Sequence, residues 1–514
     1  MKNCLSMNKV VCLLAAGIFC GGVLDMVAQP ELIPKRDEQY RPQLHFSPLR
    51  GWNNDPNGLV WLDGEYHLYY QYNPNENKWG PMHWGHAVSR DLIHWEDLPI
   101  ALYPDKLGTI FSGSAVVDWN NTAGFGEGVI VAIYTSAGEK QTQSIAYSTD
   151  KGRTFTKYEG NPVIPNPGIN DFRDPKVFWH EDSEQWVMSL ATGSTISFYG
   201  SPNLKQWEKL SEFGEGIGSH SGVWECPDLF PLVLDKEKKW VLLVSNGGTP
   251  NGGTATQYFV GKFDGREFCA DPAPYPLWLD SGRDNYASVT WSDEPNGRRL
   301  VIGWMSNWDY ANQVPSQVWR GSFTLPRELT LTRHPEGHAL LNTVPAKEIL
   351  SYAGRASAAL KKNLAPNESI GAFSEAKTGP WMAKVKLKMP EKGICDLVLS
   401  NNQSEQCVLR VNADKGILET DRSRSGKINF HGGFVSGSKG LLYMDEDEVN
   451  LTIFVDSASV EMFVENGVSP QTTILYPKLP YDYLKILNFS DSDKRISVKA
   501  EIYPLESIWK CKCK

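Results

Sequence analysis

The chain has 514 residues and 41% hydrophobic content, enough for large cores, which excludes an intrinsically disordered protein. Its 60 acidic and 51 basic side chains leave a net charge of −9, so the basic footprint of a nucleic-acid binder is missing. Eighteen Trp and 45 Gly with few long apolar runs indicate a β-rich fold with many turns and aromatic surfaces.

The chain opens on a targeting pattern. Lys2 and Lys9 precede an apolar run from Val10 to Leu24, and the small-residue region Met26-Val27-Ala28-Gln29 follows. Charge, short apolar core and cleavage region in this order predict a signal segment over 1–28 and export to the periplasm or outside the cell. Cys20 offers a second reading, a lipid anchor, which Phe19 immediately before it fits poorly. No later segment reaches the ~18 apolar residues of a membrane helix, so no membrane span is expected. Beyond the leader, Cys226, Cys269, Cys395, Cys407, Cys511 and Cys513 show no zinc-type pairing. Cys395 and Cys407 stand at a spacing that a hairpin disulfide could use, which sequence leaves open.

Internal repeats come next. Short β-rich cores recur around Tyr69, Ile133, Met188, Leu243 and Ile302, at steps of 64, 55, 55 and 59 residues. A second echo follows most of them. It reads Ser89-Arg90-Asp91-Leu92-Ile93-His94-Trp95, then Ser148 to Phe155, then Ser201 to Trp207, with a degenerate copy from Lys262 to Phe268. Asp, Asn and Gly between apolar strands are turn chemistry. A unit of this length with several strands fits one four-stranded propeller blade, so the sequence predicts an all-β protein with a five-bladed β-propeller over 35–332. A β-sandwich with chance echoes is the plainer alternative.

A linker is predicted over 333–360, with one helix in the Ala/Lys-containing stretch from Pro345 to Leu360. Period-two alternation then returns in Ala383–Lys388, Cys395–Leu399, Cys407–Val411, Leu451–Val455 and Ser459–Val464. It predicts a C-terminal antiparallel β-sandwich over 361–514, with no convergent carboxylates and hence a supporting role.

A polar or Gly/Pro-punctuated motif precedes each repeat core. In order they are Trp52-Asn53-Asn54-Asp55-Pro56-Asn57-Gly58, Phe111-Ser112-Gly113-Ser114, Phe172-Arg173-Asp174-Pro175, Trp224-Glu225-Cys226-Pro227-Asp228 and Arg283-Asp284-Asn285-Tyr286-Ala287. Asp55, Ser112, Asp174, Glu225 and Asp284 precede their cores by 14, 21, 14, 18 and 18 residues. The first strand of a blade lines the central channel, so all five motifs are expected to converge on one axial pocket. Asp-Pro and Asp-Pro-Asn-Gly are common turns taken singly. Three carboxyls at equivalent places suit glycosidic cleavage, where two carboxyls serve as nucleophile and general acid/base. The two roles need separated pKa values, which burial and like-charge crowding supply.

These blocks resemble the signatures of glycoside hydrolase family 32, the invertases, inulinases and levanases that cleave β-fructofuranosides. The resemblance implies that Asp55 is the nucleophile, Glu225 the acid/base and Asp174 the transition-state stabiliser that holds fructose hydroxyls. It also implies that Asn54, Gln71, Trp79, Phe111, Ser112, Arg173 and Trp304 bind the sugar. Asn53 departs from the Met frequent in the first block, which alters packing more than chemistry. The implied mechanism is a retaining double displacement that needs no cofactor or metal, with fructan or sucrose as substrate. His83, His86 and His94 lack a matching carboxylate cluster and read as structural. The block from Gly303 to Pro315 resembles exo-acting fructanases, which implies exo-release of fructose from levan, inulin or sucrose, with endo-levanase as the alternative. A non-catalytic fructan-binding propeller should lack Asp55 or Glu225, and both are present. An arabinan hydrolase should lack the first block, and a fructosyltransferase would differ only in acceptor. Oligomeric state is not encoded legibly.

Overall fold

The computed structural model describes residues 35–510 except 377–378, 445–446 and 491–492. The leader, Cys20, Cys511 and Cys513 lie outside the described residues.

The first part of the chain forms five antiparallel sheets in succession. The first joins strands Gly51–Leu62, Glu65–Asn73, His83–Ser89 and Trp95–Leu102; the second starts at Thr109–Asp118, the third at Phe172–His180, the fourth at Glu225–Leu234 and the fifth at Tyr286–Thr290. Each predicted repeat core is the second strand of its sheet. Successive side chains on a strand point to opposite faces, and here both faces are apolar, so the second strand of the second sheet is buried from Val129 through Ser136.

The alternation explains how the sheets pack. Val60 and Tyr69 of the first sheet share a core with Ala115, Val117 and Ala132 of the second. Val116, Val131 and Ile133 turn the other way, onto Val177 and Met188 of the third. Val187 and Phe198 meet Leu229 and Leu242 of the fourth, whose Phe230 and Leu243 face Val301 and Leu341 of the fifth. Ile302 and Leu300 of the fifth then pack on Leu59, Leu68 and Tyr70 of the first. The short strand Trp319–Arg320 also pairs in parallel with Gly51 and Trp52. This propeller-like arrangement brings the first strands of all the sheets together.

The second echo is the turn between third and fourth strands. Asp91, Asp150, Asn203 and Asp264 each accept backbone N–H groups two to four residues on. The following residue, Leu92, Lys151, Leu204 or Gly265, is left-handed in every copy, at φ 62°, 59°, 61° and 95°. The side chain caps the turn while the next backbone reverses, which is why Asp or Asn recurs there.

The fifth sheet extends further than the sequence suggested. Strands Arg327–Arg333 and Ala339–Pro345 are its outer hairpin, so residues 333–345 of the expected linker belong to the sheet. One helix, Lys347–Tyr352, follows, and the next strand, Ala358–Leu364, already belongs to the second part. There two six-stranded sheets enclose one core. All five strands expected from alternation are present. Cys395 and Cys407 are both free and buried: across that hairpin Cys395 faces Val411 and Cys407 faces Leu399, so the register separates them.

Buried ion pairs join the two parts. Arg422 reaches Asp284 at 2.6 Å, and Arg327, held within its own part by Asp280 at 2.8 Å, reaches Glu461 of the other at 3.4 Å. His45 lies between Asp456 (2.8 Å) and Glu461 (3.6 Å).

Candidate active site

One backbone irregularity builds the site. At the same point of every first strand, two residues oppose a single residue of the second strand: 54–55 against Gln71, 111–112 against Thr135, 174–175 against Leu190, 226–227 against Val244 and 287–288 against Gly303. A bulge of this kind bends the strand and redirects its side chains. Asp174, Cys226 and Ala287 take left-handed φ values of 65°, 48° and 54° there.

The bulges put Asn53, Ile110, Arg173, Glu225 and Tyr286 in equivalent places, and three of these meet. Arg173 donates through Nε and Nη2 to Glu225 Oε1, both at 3.1 Å, and the Tyr286 hydroxyl donates to Oε2. Arg173 is itself held by Asp171 Oδ1 at 2.6 Å. Asp55 and Ser112 are likewise equivalent, and the Ser112 hydroxyl donates to Asp55 Oδ2 at 2.6 Å. Asp55 Oδ1 accepts Asn54 Nδ2 at 3.0 Å, while Trp52 Nε1 fixes the other end of that amide at 2.7 Å. Asp174 Oδ2 accepts the Cys226 amide at 3.0 Å, and the Cys226 thiol lies between Asp55 (3.5 Å) and Asp174 (3.6 Å).

These groups open onto a cavity of about 360 Å³ lined by Asn54, Asp55, Gln71, Trp79, Phe111, Ser112, Arg173, Asp174, Glu225, Trp308 and Asn312. Nine of the ten residues expected from sequence are therefore together. The tenth, Trp304, is fully buried one layer behind, packed on Trp52 and Trp308, and Trp308 takes its place in the wall. Trp79 is 47% exposed at the rim, edge-on to Phe111. Trp52 and Trp224 are completely buried and support the site from behind.

Asp284 does not join the pocket. It is buried against Arg422, the Tyr310 hydroxyl and the Ile474 amide at the junction of the two parts. Tyr286, two residues later, is the member of that motif that enters the site. Sequence reading missed Tyr286 and Cys226 because the two-for-one count of a bulge shifts the frame in which side chains face the axis, and missed Trp308 because it lies in the loop after Leu300–Trp304, where no strand register places it. Aligning the fifth motif on Tyr286 with Arg173 and Glu225 would have found the first of them. Asp228, from the same motif as Glu225, is structural: it pairs with Lys176 at 3.2 Å and accepts the Thr290 amide at 2.6 Å.

Burial pushes the Asp55 carboxyl up, and the charge of Glu225 adds to this, against the donors Ser112 and Asn54. Asp174 is pushed up to about 7 by burial and by Glu225 and Asp55, against the pull of Arg173. Burial and the surrounding carboxylates hold the Cys226 thiol and the Tyr286 phenol far above their ordinary values, so both stay protonated donors. The site is a crowded acidic pocket with one cation, Arg173, whose protonation those carboxylates reinforce.

The histidines of the first sheet do not converge. His83 turns to the Pro81 carbonyl, His94 to Asp91, and His86 stacks on His67, both kept neutral by burial.

Residues 45–343 match the glycosyl hydrolases family 32 N-terminal domain, and 349–504 match the glycosyl hydrolases family 32 C-terminal region. The chain is 48% identical to a levanase of Bacillus subtilis (strain 168) over 92% of its own length and 71% of that protein's. It is 37% identical to an extracellular exo-inulinase of Aspergillus awamori, over 92% and 96% of the two chains. A crystal structure of exo-inulinase from Aspergillus awamori superposes with a TM-score of 0.86 at 36% identity, covering 92% of this chain and all of that one. Two family matches that together span both parts of the fold, and relatives aligned over nine-tenths of the sequence, establish that this chain belongs to glycosyl hydrolases family 32.

Proposed function

We propose that this protein is an exported, retaining β-fructofuranosidase that releases terminal fructose from levan, inulin or sucrose. The observation that carries the reading is the convergence of Asp55, Asp174 and Glu225 on one small cavity. In this reading Asp55 attacks C2 of the fructosyl unit, the C2–O bond breaks, and the leaving oxygen takes the proton of Glu225. Water then adds to C2, giving its proton to Glu225 and freeing Asp55. Asp174 holds fructose hydroxyls, and Arg173 with Tyr286 keeps the Glu225 carboxyl in place. The five sheets act as five blades of a propeller around this pocket, with the catalytic unit ending at Pro345 and the sandwich beginning near Ala358.

The cavity size supports exo action, because about 360 Å³ is at the low end of the ~300–1,000 Å³ range of small-molecule sites. It suits the end of a chain better than a stretch of one. The names of the relatives, levanase and extracellular exo-inulinase, point to the same substrates and to secretion. Asp55→Ala is expected to lower fructose release by roughly 10⁴-fold or more and Glu225→Gln by roughly 10²–10⁴-fold. Unchanged circular dichroism would show that the fold survives. The deciding experiment is the product profile on levan, inulin and sucrose. Free fructose alone supports the reading, a ladder of oligosaccharides makes the enzyme endo-acting, and transfer to sugar acceptors in place of water makes it a transferase.

A further inference from the structure

The outer hairpin of the fifth sheet carries a second cluster of chemistry-bearing side chains, remote from the carboxylates. Its loop reads His334-Pro335-Glu336-Gly337-His338. The His334 amide donates to the His338 carbonyl at 2.8 Å, and Gly337 donates to the His334 carbonyl at 2.8 Å. The two histidines are thus a cross-strand pair closing a three-residue loop, and such pairs project side by side from one face. Their rings are parallel within 22°, centroids 4.3 Å apart, and Tyr443 of the sandwich packs edge-on against His334 at 5.1 Å.

Glu336 at the loop tip completes the group. One ligand atom from each of the three residues lies within 4.8 Å of the others, and Glu336 Oε2 is 3.9 Å from His334 Nδ1. His334 Nδ1 accepts the Glu336 amide at 3.1 Å, a bond that a metal binding at that nitrogen displaces. Two imidazoles and a carboxylate form a ligand set that suits zinc, and ligands on a tetrahedral zinc with bonds of ~2.0–2.1 Å stand roughly 3.3 Å apart. The Glu336 side chain is 78% exposed and free to close the remaining distance, whereas His334 is held by its ring contacts.

We propose that His334, Glu336 and His338 form a surface site for one Zn²⁺ ion, with water completing the coordination, that ties down the outer hairpin beside the sandwich. The site is separate from the cleavage chemistry and does not depend on it.

The test is calorimetric titration of Zn²⁺ into the full-length, tag-free protein. One equivalent is expected to bind, and the double substitution His334→Ala/His338→Ala to remove that equivalent. Glu336→Gln should bind more weakly than the parent. The thermal midpoint should rise with Zn²⁺ in the parent and not in the double variant, whose loop is exposed and whose fold should be intact. Fructose release should be the same with and without a chelator. No binding by the parent, or equal binding by parent and double variant, would overturn the proposal.

Discussion

Asp55 is subject to two opposed influences. Burial and the charge of Glu225 raise its carboxyl, while Ser112 and Asn54 donate to the ionised form and lower it. In the proposed mechanism Asp55 is the nucleophile and must be ionised, so these donors set how far into acid the enzyme works. Ser112→Ala removes a charge-assisted hydrogen bond worth ~1.5–3 kcal/mol, which predicts a fall in kcat/KM of roughly 10–100-fold. Because the lost bond stabilised the charged form, the Asp55 pKa rises further and the acid limb of the pH–rate profile moves to higher pH. A limb that stays in place would contradict the role of Ser112. Tyr286 acts one step removed, through Glu225. Tyr286→Phe is expected to lower kcat by a similar factor with little change in KM, because it disturbs the proposed acid/base Glu225 and not the sugar wall. Steady-state kinetics on sucrose separate the two parameters. The carboxylates were legible in sequence because each stands in a distinctive block. Tyr286 was not, since nothing local distinguishes it from Asp284 two residues earlier; only the bulge and the distant Arg422 decide which one faces the pocket.

At the scale of the element, the repeated device is a first strand with a bulge at a constant depth. Gly113 shows why the strand tolerates so little change beside it. A Cβ there would stand 2.0 Å from the Ile133 carbonyl oxygen and 2.7 Å from the Tyr134 Cα, both backbone atoms that cannot turn aside. Gly113→Ala should push this strand away from its neighbour and carry Ser112 off Asp55. The expected result is a loss of stability of about 1–3 kcal/mol, as for overpacking generally, with activity reduced more than Ser112→Ala reduces it. Urea unfolding and kinetics on the same preparation check both halves. The second strands and the capped turns were readable from sequence, since an apolar run and an Asx residue are local signals. The last strand, Ala339–Pro345, was not, because a short buried run that follows a polar loop carries no alternation of its own, and only pairing with Arg327–Arg333 makes it part of the fifth sheet.

At the scale of the molecule, charge joins the two parts. Burial alone would lower the His45 pKa, but the hydrogen bond to Asp456 and the attraction of the Asp456 and Glu461 charges overcome it and raise the group to about 9. A folded-state pKa above the ordinary 6.5 means that protonation favours the folded form. The stabilisation is complete below about pH 6.5, shrinks as pH rises and is gone above about pH 9. Its full size is on the order of 3 kcal/mol at ~1.4 kcal/mol per pH unit. Chemical unfolding at intervals from pH 6 to 10 should show this decline, and His45→Gln should flatten it. A parent protein equally stable at pH 6 and pH 10 would refute the assignment.

Sequence alone determined the all-β character, the repeat, the sandwich strands and the three carboxyls, because alternation, turn chemistry and motif content are written within a few residues. Tertiary structure decided which neighbour each motif found. It buried Asp284 under Arg422, drew Tyr286 onto Glu225, set Trp308 in the wall in place of Trp304, and kept Cys395 and Cys407 apart by register. Those outcomes depend on strands that are far apart in the chain and on bulges that shift a side chain's direction by one residue, and neither leaves a local mark in the sequence.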